Sequence, residues 1–479
     1  MNNSIAHQQN FFNKFFTLTS GTLGAYILPI IFLPILTRIY NPNEFSLYAI
    51  YITIVQIISM FSTFKFDLAI PITSDYKDRT GLLRISILIM FSLTFIISLL
   101  LIVLSIFFEA FPILLVSLIP SGIILHCVYT HILYNWLLSK RKLKHISIGK
   151  IIFGVLSSSL PVFIFIFFNL KGYFYIILSH QFSLLFILFL VLINIYGSTF
   201  FKTLVSVLNF KIDEFFRIFK KYKKYAIFSS PSSLMNIFGI WFPVLFFWFF
   251  FDEKYVSLFF LSHRAVSFPL QILGDSIGRI FYSEAAENIK EGILDEVITK
   301  YFNLLFHIAF PFIVISIVFS PNIFNLIFDS NWSEASLFVQ ILSPLFFIRL
   351  LGSPLSTIPT ILYKQEVEFR FQLILFFVRL ITLIIGVFSE DVLLTLILFS
   401  MGSAFCWLFY LLVILKMGGI TIYSLLVNTF RTKIKYLSLI LIFSILISFL
   451  ITNNLIMFLS MIILISYFCY SLFLEIKKI

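Results

Sequence analysis

Charged residues are scarce in this sequence. Only 12% of its 479 residues are Asp, Glu, Lys or Arg, while 60% are hydrophobic and 65 are Phe. Because a soluble globular protein carries about 25% charged residues, folding as soluble domains would leave a large apolar surface in contact with water. The composition therefore excludes the soluble classes and indicates a protein embedded in lipid.

Cysteines and catalytic motifs are also scarce. The three cysteines, Cys127, Cys406 and Cys469, all lie inside apolar runs, so no disulfide framework or CxxC metal site is available. Gly149-Lys150 lacks the preceding glycine of a phosphate-binding P-loop, and no HExxH sequence or nucleophile elbow occurs. We therefore expect no enzymatic activity, no metal site and no cofactor.

Long apolar runs are what the sequence does contain. A helix needs about 20 mostly apolar residues to cross a bilayer, whereas barrel strands show short alternating segments. The runs predict an all-α polytopic membrane protein with about 14 transmembrane helices. The predicted spans cover residues 17–38, 44–71, 81–108, 112–138, 146–168, 172–195, 225–251, 255–282, 300–320, 335–363, 369–388, 391–415, 434–452 and 454–474.

The distribution of Lys and Arg predicts the orientation. With both termini cytoplasmic, nearly all loop cations fall on the cytoplasmic side, and the outer loops hold only Arg38, Lys171 and Lys254. The net charge of +12 then follows from the excess of Lys and Arg in the cytoplasmic loops. It requires no nucleic-acid partner, and we expect the basic loops to contact anionic lipid headgroups. The basic amphipathic stretch 210–225 is predicted to lie on the inner leaflet.

Two parallel six-helix bundles are predicted. The longest cytoplasmic connection, a basic linker at 196–224, separates an N-terminal bundle, 1–195, from a C-terminal bundle, 225–415. Two additional transmembrane helices follow in 416–479. Because the first and seventh spans both start on the cytoplasmic side, the bundles are expected to be related by an axis along the membrane normal and to surround a central cavity.

Ionisable and amide side chains inside the spans are the candidate binding residues. A cation at a helix centre costs about 2.5–3.5 kcal/mol on insertion scales, so positions facing lipid are excluded. Only two of these groups are acidic, which leaves the set with a surplus of positive charge. The candidate substrate-binding residues are Arg264, Arg279, Arg349, Arg379, Asp275, Gln271, Asp67 and Lys65.

Helical phase predicts where most of these side chains point. At about 100° per residue, polar side chains line up in two stripes. The first stripe is on the eighth span, and the other stripe is on the span that follows the first loop, the second span. The first stripe contains Arg264, Gln271, Asp275 and Arg279, and the second contains Gln56, Ser59, Thr63 and Asp67. Lys65 falls on the opposite side of its span, where its long side chain is expected to reach the cytoplasmic end. Matching stripes in two halves favour a water-filled cavity.

Each charged residue also has a purely structural explanation. Asp275 and Arg279 are four residues apart and could pair on their own helix. Arg349 and Arg379 could cap carbonyl groups freed by nearby prolines. Pro269, inside the eighth span, is expected to kink that helix and to permit gating.

Five histidines inside the spans are candidate proton carriers. Their imidazole groups titrate near neutral pH, although lone histidines in helices more often serve packing. These residues are His126, His131, His180, His263 and His307. Together with Asp67 and Asp275, they leave coupling to H⁺ or Na⁺ as an open hypothesis.

The seventh and eighth spans resemble a known family. The stretches that carry the resemblance are FSSPSSLMN at 228–236, YVSLF at 255–259, RAVSFPL at 264–270, GDSIG at 274–278 and FYSEAA at 281–286. Residues 21–49, with the turn at Thr37 to Tyr40, are also similar. The chain resembles Wzx-type polysaccharide flippases of the multidrug/oligosaccharidyl-lipid/polysaccharide exporter superfamily.

This resemblance implies an activity. It implies flipping of an undecaprenyl-pyrophosphate-linked oligosaccharide, such as an O-antigen or capsule repeat unit, across a bacterial inner membrane by alternating access. It also implies partners, namely the lipid-linked substrate, membrane lipids and other polysaccharide assembly proteins. A cavity with surplus positive charge suits a pyrophosphate, because Arg offers phosphate oxygens two parallel donors.

Three alternatives remain open. A multidrug exporter of the same superfamily would favour cationic substrates and would be expected to carry acidic residues in its cavity. A lipid II flippase shares the expected fold and span number. A membrane-bound polysaccharide polymerase or ligase would be expected to have a sizeable outer loop with charged catalytic residues, but the longest predicted outer break, 321–334, contains no Lys or Arg.

Overall fold

The computed structural model describes residues 27–73, 75–107, 112–194, 212–288, 292–362 and 364–421, together with Gly24 and Leu425. Most of this part of the chain is helical, and it contains no β-strand. The predicted all-α class is therefore confirmed. The last two predicted spans, 434–452 and 454–474, lie outside the described residues.

Packing divides the chain into two compact units, Met1–Trp248 and Phe249–Ile479. We call them unit 1 and unit 2. The helices assigned to unit 1 are α1 (Ile27–Ile39), α2 (Pro42–Phe61), α3 (Tyr76–Phe107), α4 (Ile113–Cys127), α5 (Tyr134–Ser139), α6 (Leu143–Phe168), α7 (Tyr173–Asn194), α8 (Ile212–Lys224) and α9 (Ser230–Phe250), whose last residues pass the division. Short π-helices, Val128–Leu133 and Tyr225–Ser229, join α4 to α5 and α8 to α9.

The described part of unit 2 also consists of helices joined by short turns. Its helices are α10 (Glu253–Pro269), α11 (Asp275–Asn288), α12 (Leu294–Val318), α13 (Ser320–Ile327), α14 (Ala335–Gly352), α15 (Ile358–Ile361), α16 (Gln365–Phe388) and α17 (Val392–Met417). A π-helix, Leu270–Gly274, joins α10 to α11, and short 3₁₀ turns occupy Ser330–Trp332 and Pro354–Thr357.

The predicted span positions agree with the helices. Within the described residues, 10 helices are long and apolar enough to cross a membrane, or 11 if the bent pair α10–α11 forms one span. These helices correspond to the second through twelfth predicted spans. The helix of the first predicted span, α1, is shorter, and the rest of that span lies outside the described residues. The arrangement of the spans into two parallel bundles stays a prediction.

Local sequence explains where α2 begins. The Asn41 side chain accepts a hydrogen bond from the Glu44 backbone N–H at 2.8 Å, and Glu44 accepts one from the Asn41 N–H at 3.1 Å. This reciprocal pair satisfies two donors that a helix start leaves open, and Pro42 suits the first turn because it lacks an N–H. This capped start separates α2 from α1, which ends at Ile39.

The second predicted span is not one continuous helix. α2 ends at Phe61, Phe64 and Lys65 take left-handed conformations with φ of 45° and 60°, and Phe66–Ala69 forms a 3₁₀ turn. Since non-glycine residues rarely occupy this region, the surrounding structure must hold the break in place. A straight-helix projection therefore cannot be carried past Phe61 to Asp67, and the predicted second stripe is wrong in that part.

The amphipathic stretch before the seventh span packs on protein. One face of α8 lies on the start of α3, where Ile218 is fully buried against Gly81. Arg217 donates to a carboxylate oxygen of the buried Asp78 at 2.9 Å, and Lys221 donates to the other oxygen. Other side chains of α8 are exposed, as Phe216 shows. The structure thus shows a contact of α8 with α3, and the contact with the inner leaflet stays a prediction.

Candidate functional site

Four helices of unit 2 pack in succession and carry the candidate arginine site. α10 packs on α14, α14 on α17, and α17 on α16. Small residues set the closest approaches. A Cβ at Gly402 of α17 would lie 2.8 Å from Thr382 Cγ2 of α16, and a Cβ at Gly352 of α14 would lie 3.2 Å from the Trp407 ring of α17. These glycines allow the side chains around them to meet.

Arg349 of α14 lies over two aromatic rings. Its guanidinium carbon is 5.8 Å from the centre of the Phe346 ring and 5.9 Å from that of Trp407. A planar guanidinium is attracted to the faces of aromatic rings, and the attraction strengthens where water is excluded. The half-buried Arg349 is therefore held at the α14–α17 contact by ring faces.

Arg379 of α16 lies deeper. Only 6% of the residue is exposed, its Nε donates to Ser403 Oγ at 3.1 Å, and its guanidinium carbon lies 5.6 Å from the centre of the Phe399 ring. Both contacting residues belong to α17. This helix therefore presents partners to an arginine of α14 and to an arginine of α16.

A histidine of α10 packs against one of these aromatic rings. The His263 ring centre is 5.2 Å from that of Phe346, in an edge-on geometry. We call the whole set the arginine–aromatic cluster: Arg349, Arg379, His263, Phe346, Phe399, Ser403 and Trp407. It places two positive charges and several polarisable rings inside one helical unit.

The predicted polar face of the eighth span is interrupted. The helix pair Glu253–Phe268 and Leu270–Asn288 is bent by 47°, so the kink expected at Pro269 is present. A π-helix follows the bend, and its wider turn changes the angle between successive side chains. A straight-helix projection therefore cannot be carried from Arg264 across this break to Arg279, and the predicted stripe beyond the break stays a prediction.

The remaining predicted residues of unit 2 lie along this bent pair. Arg264 is half-buried, next to His263 on α10, and Arg279 of α11 is exposed. Gln271 donates to Ser267 Oγ at 3.2 Å. Asp275 begins α11. The structure thus places Arg349 and Arg379 in one cluster with His263, and Arg264 beside that histidine in sequence.

Asp67 and Lys65 belong to unit 1. Asp67 is fully buried, accepts hydrogen bonds from the Thr63 hydroxyl and, at 2.8 Å, from Asn135 Nδ2, and its carboxylate lies 3.8 Å from His131 Nδ1. Lys65 is only 3% exposed, so it does not extend to the aqueous end of its span as expected. Its ammonium group instead lies 3.0 Å from Met60 Sδ.

Two polar residues of these clusters were not predicted. Asn135 is an amide inside the apolar run 112–138, and Ser403 lies in the small-residue segment 400–404. Polar or small residues in a span often mark contacts between helices, which is the signal that could have identified them. Within the described residues, no three His, Cys, Asp or Glu side chains come together to hold a metal ion.

Solved structures with a similar fold are membrane transporters. The lipid II flippase MurJ in an inward closed conformation has a TM-score of 0.60 at 14% identity, over 96% of this chain and 99% of that chain. An inward-facing multidrug resistance transporter of the MATE family has a TM-score of 0.58 at 13% identity, over 86% and 94% of the two chains. A MOP superfamily transporter from Pyrococcus furiosus, whose binding pocket is described as reversed in polarity, has 0.55 at 12% identity, over 85% and 96%.

This fold, with ionisable side chains inside its helices, defines a polytopic α-helical membrane protein of the MurJ and MATE fold. A comparison with curated protein sequences finds no match. The family model described as polysaccharide biosynthesis protein matches residues 35–337. The chain therefore belongs to the polysaccharide biosynthesis protein family.

Proposed function

We propose that this protein flips an undecaprenyl-pyrophosphate-linked oligosaccharide repeat unit from the cytoplasmic to the outer leaflet of a bacterial inner membrane. Two findings support the proposal. The family is one of polysaccharide biosynthesis, and a fold neighbour is a lipid flippase. A polysaccharide precursor carried on a lipid is a substrate that fits both the family and the flippase fold.

The arginine–aromatic cluster is the observation that carries the proposal. Guanidinium groups inside a membrane span are costly and mark functional sites by default. Arg pairs with phosphate oxygens through two parallel donors, and the strength of these charge-assisted bonds increases away from bulk water. A pyrophosphate is therefore the headgroup that this part of unit 2 is best suited to bind.

The arginines differ in exposure, which assigns them different roles. Arg349 and Arg264 are half-buried and within reach of a ligand. Arg379 is nearly enclosed and donates to Ser403, so it acts as a positioning residue that adds positive potential. The bend at Pro269 supplies a site at which α10 can move relative to α11 during alternating access.

Proton coupling through Asp67 forms part of the proposal. The carboxylate is fully buried, receives two hydrogen bonds and lies 3.8 Å from His131. The other ionisable groups near it are Lys65 and Cys127. A buried carboxylate beside an imidazole can take up and release a proton, which favours H⁺ over Na⁺ as the coupling ion.

Deletion of the gene followed by analysis of lipid-linked sugars tests the activity. Complete repeat units are expected to accumulate on the cytoplasmic leaflet. Loss of the lipid-linked unit itself would instead indicate a polymerase, ligase or other enzyme of synthesis. Accumulation of lipid II, or changed resistance to cationic drugs alone, would support one of the other transporter alternatives.

Complementation of the deletion tests the site. Arg264→Ala and Arg349→Ala are expected to abolish complementation at normal protein levels, since each removes a donor for phosphate. Arg370→Ala is a matched control, because Arg370 is exposed at the start of α16. Full activity of both site variants would contradict an anion site at these residues.

A further inference from the structure

Unit 1 contains a cavity that the transport proposal does not use. It has a volume of about 250 Å³. Its walls come from the first π-helix with the adjoining α5, from the start of α6 and from α7. Its polar lining consists of Tyr129, Thr130, Tyr134, His145 and Lys150. The rest of the wall is apolar and comes mainly from Leu133, Leu137, Ile146, Ile187 and Val191.

Two backbone features shape this cavity. The π-helix Val128–Leu133 supplies Tyr129 and Thr130 to the lining, and π-turns inside α-helices often occur at functional sites. Gly149 leaves room on the opposite side. A Cβ at this position would lie 3.5 Å from both Ile187 Cγ2 and the Tyr129 hydroxyl oxygen, so alanine fits and a larger side chain would enter the cavity.

The charge of the lining favours an anion. Lys150 Nζ lies 5.4 Å from the centre of the Tyr134 ring, and the described residues that line the cavity include no Asp or Glu. The Nδ1 atom of His145 is buried and has no hydrogen-bond partner within the described part of the chain. A bound oxyanion would give this imidazole an acceptor and would meet the positive charge of Lys150.

The apolar wall and the size restrict the ligand further. The cavity of about 250 Å³ exceeds many times the roughly 10–15 Å³ that a single water needs. This space is large enough for a phosphate with the first atoms of its ester linkage. Hydrocarbon chains would continue along the leucine, isoleucine and valine side chains.

We propose that this cavity binds the phosphate headgroup of an anionic lipid. The basic turn at Lys140 to Lys144 leads into α6 and is predicted to lie on the cytoplasmic side, where anionic headgroups attract cations. A membrane phospholipid and a polyprenyl phosphate share this chemistry. The inference does not depend on the identity of the transported substrate.

Native mass spectrometry of the purified full-length protein tests the site. The probes are phosphatidylglycerol, undecaprenyl phosphate, zwitterionic phosphatidylcholine and inorganic phosphate, each added separately. We expect the anionic lipids to bind about tenfold more tightly than phosphatidylcholine, and Lys150→Gln to remove this preference. Binding of phosphatidylglycerol identifies a phospholipid site, and binding of undecaprenyl phosphate alone identifies a carrier-lipid site.

Matched variants separate the cavity from general electrostatic attraction. Lys144→Gln removes the same charge from an exposed position of the basic turn and should keep the preference. Gly149→Ala should also keep it, whereas Gly149→Leu should remove it by filling the space. The proposal is overturned if no anionic lipid is preferred, if inorganic phosphate alone binds, or if Lys150→Gln and Lys144→Gln weaken binding equally.

Discussion

The two units bury charge in opposite ways. In unit 1 a carboxylate, Asp67, is surrounded by the hydrogen-bond donors Thr63 and Asn135, with His131 3.8 Å away. In unit 2 the guanidinium groups of Arg349 and Arg379 lie over aromatic rings. A carboxylate needs donors aimed at its oxygens, whereas a flat cation can also be held by ring faces.

Because of this difference, we expect the two clusters to serve different steps of transport. Hydrogen bonds fix Asp67 in one place and suit a group that gains and loses a proton. Ring faces attract a cation, and a guanidinium matches phosphate oxygens with two parallel donors. Under the proposed function, we expect ion coupling at the Asp67 cluster and headgroup binding at the arginine–aromatic cluster, and each expectation can be tested separately.

Among changes that leave the proposed headgroup donors Arg264 and Arg349 in place, removal of the buried Arg379 should have the largest effect. We expect Arg379→Ala to lower flipping about 100-fold or more, because it removes the positive charge and the partner of Ser403 together. Arg379→Lys should restore part of the rate, since it keeps the charge without the planar fork. Flipping in proteoliposomes is the measurement, and an unchanged rate for Arg379→Ala would remove this residue from the site.

Neutralising Asp67 should have a smaller and different effect. Asp67→Asn keeps the shape of the side chain but removes its ionisable proton. We therefore expect a flipping rate about tenfold slower that no longer responds to an imposed pH gradient. Asp75→Asn is the control, since Asp75 is exposed and caps the Lys77 N–H. A variant at Asp67 that keeps the wild-type response to the gradient would contradict proton coupling through this residue.

The smallest effect is expected where α8 meets α3. Asp78→Asn weakens the contacts of Asp78 with Arg217 and Lys221, whose side chains are about half exposed (52% and 55%). Because water solvates these cations and Asn keeps the shape and hydrogen-bonding oxygen of Asp78, we expect the loss in stability to stay near the value of about 0–1 kcal/mol for surface pairs. Hydrogen exchange of residues 212–224 should therefore increase modestly, with little change in flipping. Exchange equal to that of the wild type would show that the contacts of Asp78 do not hold α8 in place.

The sequence reveals the charged groups of these clusters but not their arrangement. Long apolar runs place the spans well, and Arg349, Arg379 and Asp67 stand out because charge is so costly there. Helical phase fails at Phe64 and Lys65 and again at the π-helix 270–274, because one break or wider turn rotates all later side chains. No local pattern encodes such a break.

Partners from distant helices are equally difficult to predict. Ser403 and Trp407 approach the arginines through close packing at Gly402 and Gly352. Asn135 reaches Asp67 across 68 positions of the chain. These contacts depend on how helices pack, which a single sequence does not specify.

Reconstituted flipping of a pyrophosphate-linked oligosaccharide tests the central claim most directly. The purified protein in vesicles should move this lipid between leaflets, and Arg349→Ala should lose nearly all of that movement while Arg370→Ala keeps it. Equal movement by Arg349→Ala and the wild type, with both proteins folded and inserted, would contradict a role for the arginine–aromatic cluster in carrying the headgroup.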